Sequence, residues 1–287
     1  MGRATSVADM DEPGAARPAS SAATAGGHVT WFGHSTVRVD LDGIGLLTDP
    51  VLGRWVGPLH RTGPTPGPAA VAGLSAALVS HAHHDHLDLP SLRRLDPSTT
   101  VIVPRGTGAV ARRAATGPVV ELEVGESAAL GPVAVTAVAA HHDGRRIGRN
   151  DASLAVGYLI RGRHTVWFAG DTGTHAGLAD LRGQVDLALV PTGGWGLTLG
   201  DQHLDAAQAA DVCAVVRPAF ALPVHWGTFA VPGTRRLFGP WWARQDGAHF
   251  LRALAAVGPG THGLTPAIGE RIAWPVPANS AVDVAAP

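Results

Sequence analysis

At 287 residues, 45% hydrophobic and 16% charged, the chain carries enough apolar material for one large core, and its length suits a single large α/β domain with tails. A net charge of −1 excludes a global electrostatic draw towards nucleic acid, and no run of like charges forms a polyanion-binding tail. The single cysteine, Cys213, excludes an intrachain disulfide framework, and no apolar stretch reaches membrane-spanning length.

Residues 1–27 are rich in Ala, Ser, Gly and Pro, lack the continuous apolar segment of a signal peptide, and read as a disordered tail on a cytoplasmic protein. All 22 basic residues are Arg, the composition of a high-GC bacterial coding sequence. Short strands are expected over 29–32, 36–41 and 44–48, divided by Gly33 and the Asp42-Gly43 turn. Residues 54–68 are Gly- and Pro-rich and read as a loop over the site, with His60 and Arg61 on its surface or touching substrate. The apolar run 76–79 reads as a buried strand that delivers His81-Ala82-His83-His84-Asp85-His86. A helix follows: Asp88 is its N-cap, Pro90 sits in the first turn, and Leu89, Leu92 and Leu95 share one face.

Beyond it come a strand over 100–103, a short helix over 108–115, a strand over 119–124, and a long apolar run, 133–140, ending at His141-His142. Strands over 154–160 and 165–169 form a hairpin around Arg161-Gly162-Arg163, and the second ends at Gly170-Asp171-Thr172. A strand over 187–190 leads to a Gly-rich loop. A helix over 205–217, with Cys213 as a core thiol, stops at Pro218, and a strand over 220–223 ends at His225. Residues 28–275 therefore read as the catalytic domain and 276–287 as a flexible tail.

The histidine cluster is the strongest chemical signal. In a strand His81 and His83 point the same way, while in the loop after them Asp85 and His86 can turn to a second ion, so the spacing suits a dinuclear site. Two ions need further ligands, and the strand-end residues His141, Asp171 and His225 are the candidates; a Gly before Asp171 lets its carboxylate approach closely and bridge. Read singly, His141 or His225 also fits a core histidine and Asp171 a helix N-cap.

This order of residues resembles the metallo-β-lactamase superfamily of dinuclear hydrolases over residues 29–271. Trp31-Phe32-Gly33-His34-Ser35-Thr36, Thr48-Asp49-Pro50, the stretch 80–88, Phe168 to Thr172, Pro191-Thr192-Gly193 and His225-Trp226-Gly227-Thr228-Phe229 resemble the branch containing L-ascorbate-6-phosphate lactonase and the phospholipase D that hydrolyses N-acylphosphatidylethanolamine. The resemblance implies an α/β fold, an αββα sandwich of two packed mixed sheets with helices outside; periodicity alone gives only mixed α and β. It further implies that His81, His83 and His141 hold one ion, Asp85, His86 and His225 the other, and Asp171 bridges. His141 is preferred to His142 because the family's strand-end histidine precedes a Gly-Arg by three residues, as His141 precedes Gly144-Arg145. His34 and Asp49 would orient a ligand imidazole through its other ring nitrogen, and His84 would point away.

The implied activity is metal-dependent hydrolysis of a phosphodiester or lactone-type ester in a small anionic or lipid-like substrate, with a water activated between two divalent ions. Zn2+ leads, with Mn2+ and Fe2+ as alternatives. Asp85 would handle the proton of that water, and His203, before a helix in a Gly-rich loop, is the further acid or a surface histidine. Arg145, Arg146 and Arg149 suit an anionic substrate or form a solvated loop, while Trp195, Trp226, Phe229, Trp241 and Trp242 wall a pocket or pack the core. The chain departs from the phospholipase branch at Ala155-Val156-Gly157, where that branch has Trp-Gly-Ser. The alternatives are a di-iron redox protein of the same fold, which places Glu where His83 stands and adds a flavin domain, or a non-catalytic metal-binding protein.

Overall fold

In the computed structural model, which describes residues 27–145, 154–194, 199–233, 247–257 and 260–274, the strands read from alternation form within a residue or two of their expected bounds. One seven-stranded sheet contains β1 (Gly27–Trp31), β2 (Val37–Leu41), β3 (Ile44–Thr48), β6 (Ala76–Leu78), β7 (Thr100–Pro104), β8 (Val119–Leu122) and β17 (Arg271–Trp274), in the order β17-β1-β2-β3-β6-β7-β8. The other contains β9 (Ser127–Leu130), β10 (Val133–Ala139), β11 (Val156–Arg161), β12 (Thr165–Phe168), β13 (Leu187–Pro191), β14 (Phe220–Val224) and β16 (His262–Gly263), in the order β16-β14-β13-β12-β11-β10-β9. Gly27, assigned to the tail on composition, instead opens β1 opposite Trp274 of the last strand, a partner too distant in sequence to show in a local pattern.

Side-chain alternation makes the sandwich. Val37, Val39, Leu41, Leu46 and Leu78 of the first sheet face Val135, Ala137, Tyr158, Ile160, Leu187 and Leu189 of the second in a central core. The residues between them face outwards. Leu47, Ala77, Val101 and Val103 pack under α1 (Leu89–Leu92) and α2 (Gly108–Ala111), while Leu159, Trp167, Ala188 and Val190 pack under α3 (Ala206–Val216) and α4 (Gly247–Val257). The result is the four-layer αββα arrangement. Asp88 caps α1 by accepting from the Ser91 amide, and Asp205 and Gln208 form a reciprocal capping box on α3. The helix expected over 108–115 is only four residues long. Among the described residues no helix is long and apolar enough to cross a membrane.

The Gly- and Pro-rich segment 54–68 corrects the sequence reading. Part of it is a hairpin of β4 (Trp55–Val56) and β5 (Leu59–Arg61), and β5 pairs antiparallel with β15 (Phe229–Ala230). Strands this short carry no periodicity, and the partner of β5, β15, lies far along the chain, beyond β14. Arg61 is not a surface residue: it is 1% exposed and donates to the carbonyls of Phe32, Val51 and Gly53.

Strand direction places the site. In the first sheet β1 and β3 run the same way, each antiparallel to β2, and β3 is parallel to β6. In the second, β10 and β12 are both antiparallel to β11, and β12, β13 and β14 are parallel. The C-terminal ends of these strands therefore share an edge within each sheet, and hydrogen bonds join the two edges: Val156 N–H to Ser80 O at 2.9 Å, Ala82 N–H to Gly144 O at 3.0 Å, and Tyr158 O–H to Val79 O at 2.8 Å.

Candidate metal centre

Each candidate ligand leaves the end of one of these strands, and the backbone there is unusual. Five non-glycine residues among those described have positive φ, and three are at this edge: His34 (52°), Asp49 (32°) and His225 (64°). A left-handed backbone costs a residue with a β-carbon about 1–2 kcal/mol, so such outliers direct attention to function. Gly170, at φ 62°, explains the approach of Asp171: a β-carbon there would stand 2.7 Å from Ser80 Cβ.

The first donor set comprises His81, His83 and His142. His81 Nε2 lies 3.0 Å from His83 Nδ1, and His142 Nε2 lies 3.3 Å from the same atom, so three imidazole nitrogens converge. His142 occupies the place expected for His141. β10 ends at Ala139, and the strand alternation stops with it. The backbone of His141 is then held by Thr172 Oγ1 and the Gly173 amide, and its ring turns outwards to within 3.7 Å of Asp201. The next residue, His142, turns inwards.

The second donor set comprises His34, Asp85, His86 and His225, all buried. Asp171 lies between the sets. Its Oδ2 is 3.3 Å from His86 Nε2, 3.2 Å from His225 Nε2 and 3.6 Å from His203 Nε2, and it forms further convergent groups with His81 and with His142. Asp49 organises both sets. Its Oδ2 accepts from His86 Nδ1 at 2.6 Å and from the Ser80 hydroxyl at 2.7 Å, and Ser80 Oγ sits 2.9 Å from His81 Nδ1. These bonds place protons on the Nδ1 atoms of His81 and His86 and leave their Nε2 lone pairs facing inwards, as metal ligands require.

Electrostatics fits a cation. Burial opposes charge on His86, yet Asp171, Asp85 and Asp49 outweigh it and hold the imidazole well above its usual range. Burial likewise opposes the Asp171 and Asp85 carboxylates, which neighbouring histidines pull well below theirs. His86 Nε2, His225 Nε2 and Asp171 Oδ1 are buried without a hydrogen-bond partner among the described residues. Each such atom costs about 1–3 kcal/mol if left unmet, and a divalent ion would satisfy all three.

The remaining candidates divide. His203 reaches the site: its Nδ1 lies 3.1 Å from the Leu199 carbonyl, leaving Nε2 towards Asp171, and its ring lies on Gly194, where a β-carbon would stand 2.7 Å from Cδ2. His34 Nε2 is 3.2 Å from Asp85 Oδ2, and one of its ring nitrogens lies within 4.8 Å of a ring nitrogen of His86 and of His225. His84 is exposed, as expected. Trp226 belongs to the packing, stacked on Trp31 at 4.8 Å against the central core, and Phe229 is buried beneath the Arg61 guanidinium. Arg145 is exposed and pairs with Asp143 at 2.7 Å. Arg146, Arg149, Trp195, Trp241 and Trp242 lie outside the described residues. Sequence reading set His142 aside in favour of His141, left Arg61 on the surface or against substrate, gave Ser80 and Thr228 no role of their own, and did not single out Tyr158; the Thr228 hydroxyl accepts from the His34 amide at 2.5 Å. For His142 the signal was present in the pair, but for the others only burial reveals the role.

Residues 45–226 match the family model of the β-lactamase superfamily domain. An uncharacterised protein of Mycobacterium tuberculosis H37Rv is 34% identical over 70% of this chain, which spans 59% of that protein's length. N-acyl-phosphatidylethanolamine-hydrolyzing phospholipase D 1 of Caenorhabditis elegans is 29% identical over 74% of this chain and 67% of its own. A metal-dependent hydrolase of Cupriavidus taiwanensis is 32% identical over 75% and 80%. Among solved structures, the metallo hydrolase Igni18 of Ignicoccus hospitalis has a TM-score of 0.66 at 21% identity, covering 86% of this chain and 97% of its own. The diiron β-hydroxylase CmlA of Streptomyces venezuelae reaches 0.63 at 20% identity, over 86% of this chain and 54% of its own. These two share the fold. With the family model running from β3 to the residues just after β14, the chain belongs to the β-lactamase superfamily.

Proposed function

We propose that the chain is a metal-dependent hydrolase with two divalent ions, Zn2+ first among the candidates and Mn2+ or Fe2+ as alternatives, acting on a phosphodiester or lactone-type ester in a small anionic or lipid-like substrate. The observation that carries this reading is the pair of donor sets with Asp171 between them. His81, His83 and His142 would hold one ion, Asp85, His86 and His225 the other. When bound, such ions supply Lewis acidity, activate water near neutral pH and neutralise charge on the attacked group and leaving oxygen.

The chain's own residues supply the rest. Asp85 offers a carboxylate kept ionised by its histidine neighbours, suited to accept a proton from the nucleophile. Burial opposes protonation of His203, but Asp171 overcomes this and raises it above its ordinary value, so His203 can deliver a proton to a departing oxygen. Asp49 and Ser80 keep the ligand imidazoles in one tautomer. Arg145, two residues beyond Asp143 and with its side chain 62% exposed, is a candidate for an anionic group. The phospholipase D relative supports a phosphodiester, and the three-imidazole first set, with His83 where a di-iron redox site would have a carboxylate, favours hydrolysis over dioxygen chemistry.

The test is elemental analysis of the purified protein, followed by turnover of bis-p-nitrophenyl phosphate, a phosphomonoester, several lactones and a β-lactam with each metal restored. Expected are two ions per chain and turnover of the phosphodiester or a lactone. A folded, metal-loaded protein inert towards all of them would overturn the hydrolase reading.

A further inference from the structure

The second donor set contains one imidazole more than the two-ion reading uses. One ligand atom from each of His34, Asp85, His86 and His225 lies within 4.8 Å of the other three. His34 Nε2 stands 3.2 Å from Asp85 Oδ2, and His86 Nε2 stands 3.6 Å from that same oxygen. Ligands about 2.0–2.1 Å from a tetrahedral ion are separated by about 3.3–3.4 Å, so these spacings are those of atoms sharing a coordination sphere.

The main chain around His34 is built to aim the ring. Gly33 and His34 take consecutive positive φ values, 92° and 52°, where Gly or Asn would be the unstrained choice at the second position. The strain is held on every side. The His34 amide donates to Thr228 Oγ1, and its carbonyl accepts from Trp31 Nε1 at 2.9 Å and from the His225 amide at 3.0 Å. Arg61 holds the adjacent Phe32 carbonyl at 2.9 Å. The His225 amide bond ties the backbone of one ligand to that of the other. The ring itself lies against His225, with centroids 4.2 Å apart, and edge-on to Phe229 at 5.4 Å.

We infer that His34 is a direct ligand of the ion held by Asp85, His86 and His225, making that position the fuller, tighter one and leaving the ion at His81, His83 and His142 open to substrate. This rests on the two-ion reading above. Depth supports it: all four members of the second set are buried, whereas His83 and His142 of the first are half-buried. A closed shell holds its ion, and an open shell takes the substrate.

The test loads wild-type protein and His34→Asn with one equivalent of Co2+ or Zn2+. Asn accepts the left-handed backbone but cannot reach the ion. In the wild type, X-ray absorption should count three imidazoles on the first ion bound, and His34→Asn should count two. The variant should also lose about a hundredfold or more in affinity for that ion, more than a supporting residue contributes, while its metal-free form melts no lower than the wild type. Two imidazoles in the wild type, or a variant whose affinity stays within about threefold and whose Co2+ spectrum is unchanged, would overturn the assignment while leaving the two-ion reading standing. A wild-type protein that binds no ion would overturn both. Because His81, His83 and His142 also offer three imidazoles, a second variant, His142→Ala, is loaded in parallel: a count that stays at three in it places the first ion at His34, His86 and His225, and a count that falls to two overturns the assignment even if His34→Asn does not fold.

Discussion

The two donor sets use the same chemistry at different depths. His34, Asp85, His86 and His225 sit where turns from both sheets close over one another, and none is more than 9% exposed. His81 is equally deep, but its companions His83 and His142 are half-buried on loops. On the proposed two-ion reading, the difference teaches that the edge of a sandwich can make a holding site and a working site from nearly identical residues. Solvent access separates the two, and Asp171 and Asp49 couple them.

Mutations can break this comparison at its joints. Asp171→Ala should have the largest effect. It removes the carboxylate that faces both sets, and the loss of several kcal/mol of transition-state stabilisation is about three orders of magnitude in kcat/KM, read with any substrate the assay finds. His142→Ala should cost about a hundredfold or more in kcat/KM and release one ion while the other stays, whereas His141→Ala should do neither. A loss in His141→Ala with none in His142→Ala would assign the ion to His141 instead.

Arg61→Met sharpens the comparison from beneath. Burial pulls the guanidinium down to about 10, so it remains charged at neutral pH, and its three carbonyl partners support the His34 turn. Leaving them unmet should cost about 3 kcal/mol in denaturant unfolding. Asp49→Asn should weaken both ions by about tenfold to a hundredfold, because it contacts His86 directly and His81 through Ser80. Ser80→Ala should have the smallest effect, confined to the first set, and calorimetric titration of each ion distinguishes the two variants. A Ser80→Ala loss spread evenly over both ions would show the sets are not separable.

Much of this site is legible in the sequence because its signals are local. A buried strand, four histidines and a carboxylate in six residues, and a capped helix follow one another without a gap, so the cluster and the expectation of two ions follow from spacing. Gly170-Asp171 and His225 are legible for the same reason, each standing where a recognisable strand runs out. The choice between His141 and His142 is not, since it depends on where β10 stops and which carbonyl the Thr172 and Gly173 turn takes up. His34 was readable as a site residue, but its direction was not.

The sequence by itself determined most of the longer strands, the alternation that gives β2 and β10 one buried face, and which residue types are available to hold a metal. Those follow from a period of two and from side-chain chemistry carried within a few residues. Only the tertiary structure decided the depth of each ligand, the burial of Arg61, the pairing of β1 with β17 and of β5 with β15, and the selection of His142. These depend on contacts between segments far apart in the chain, where packing of the two sheets, and no local preference, sets which way a side chain turns.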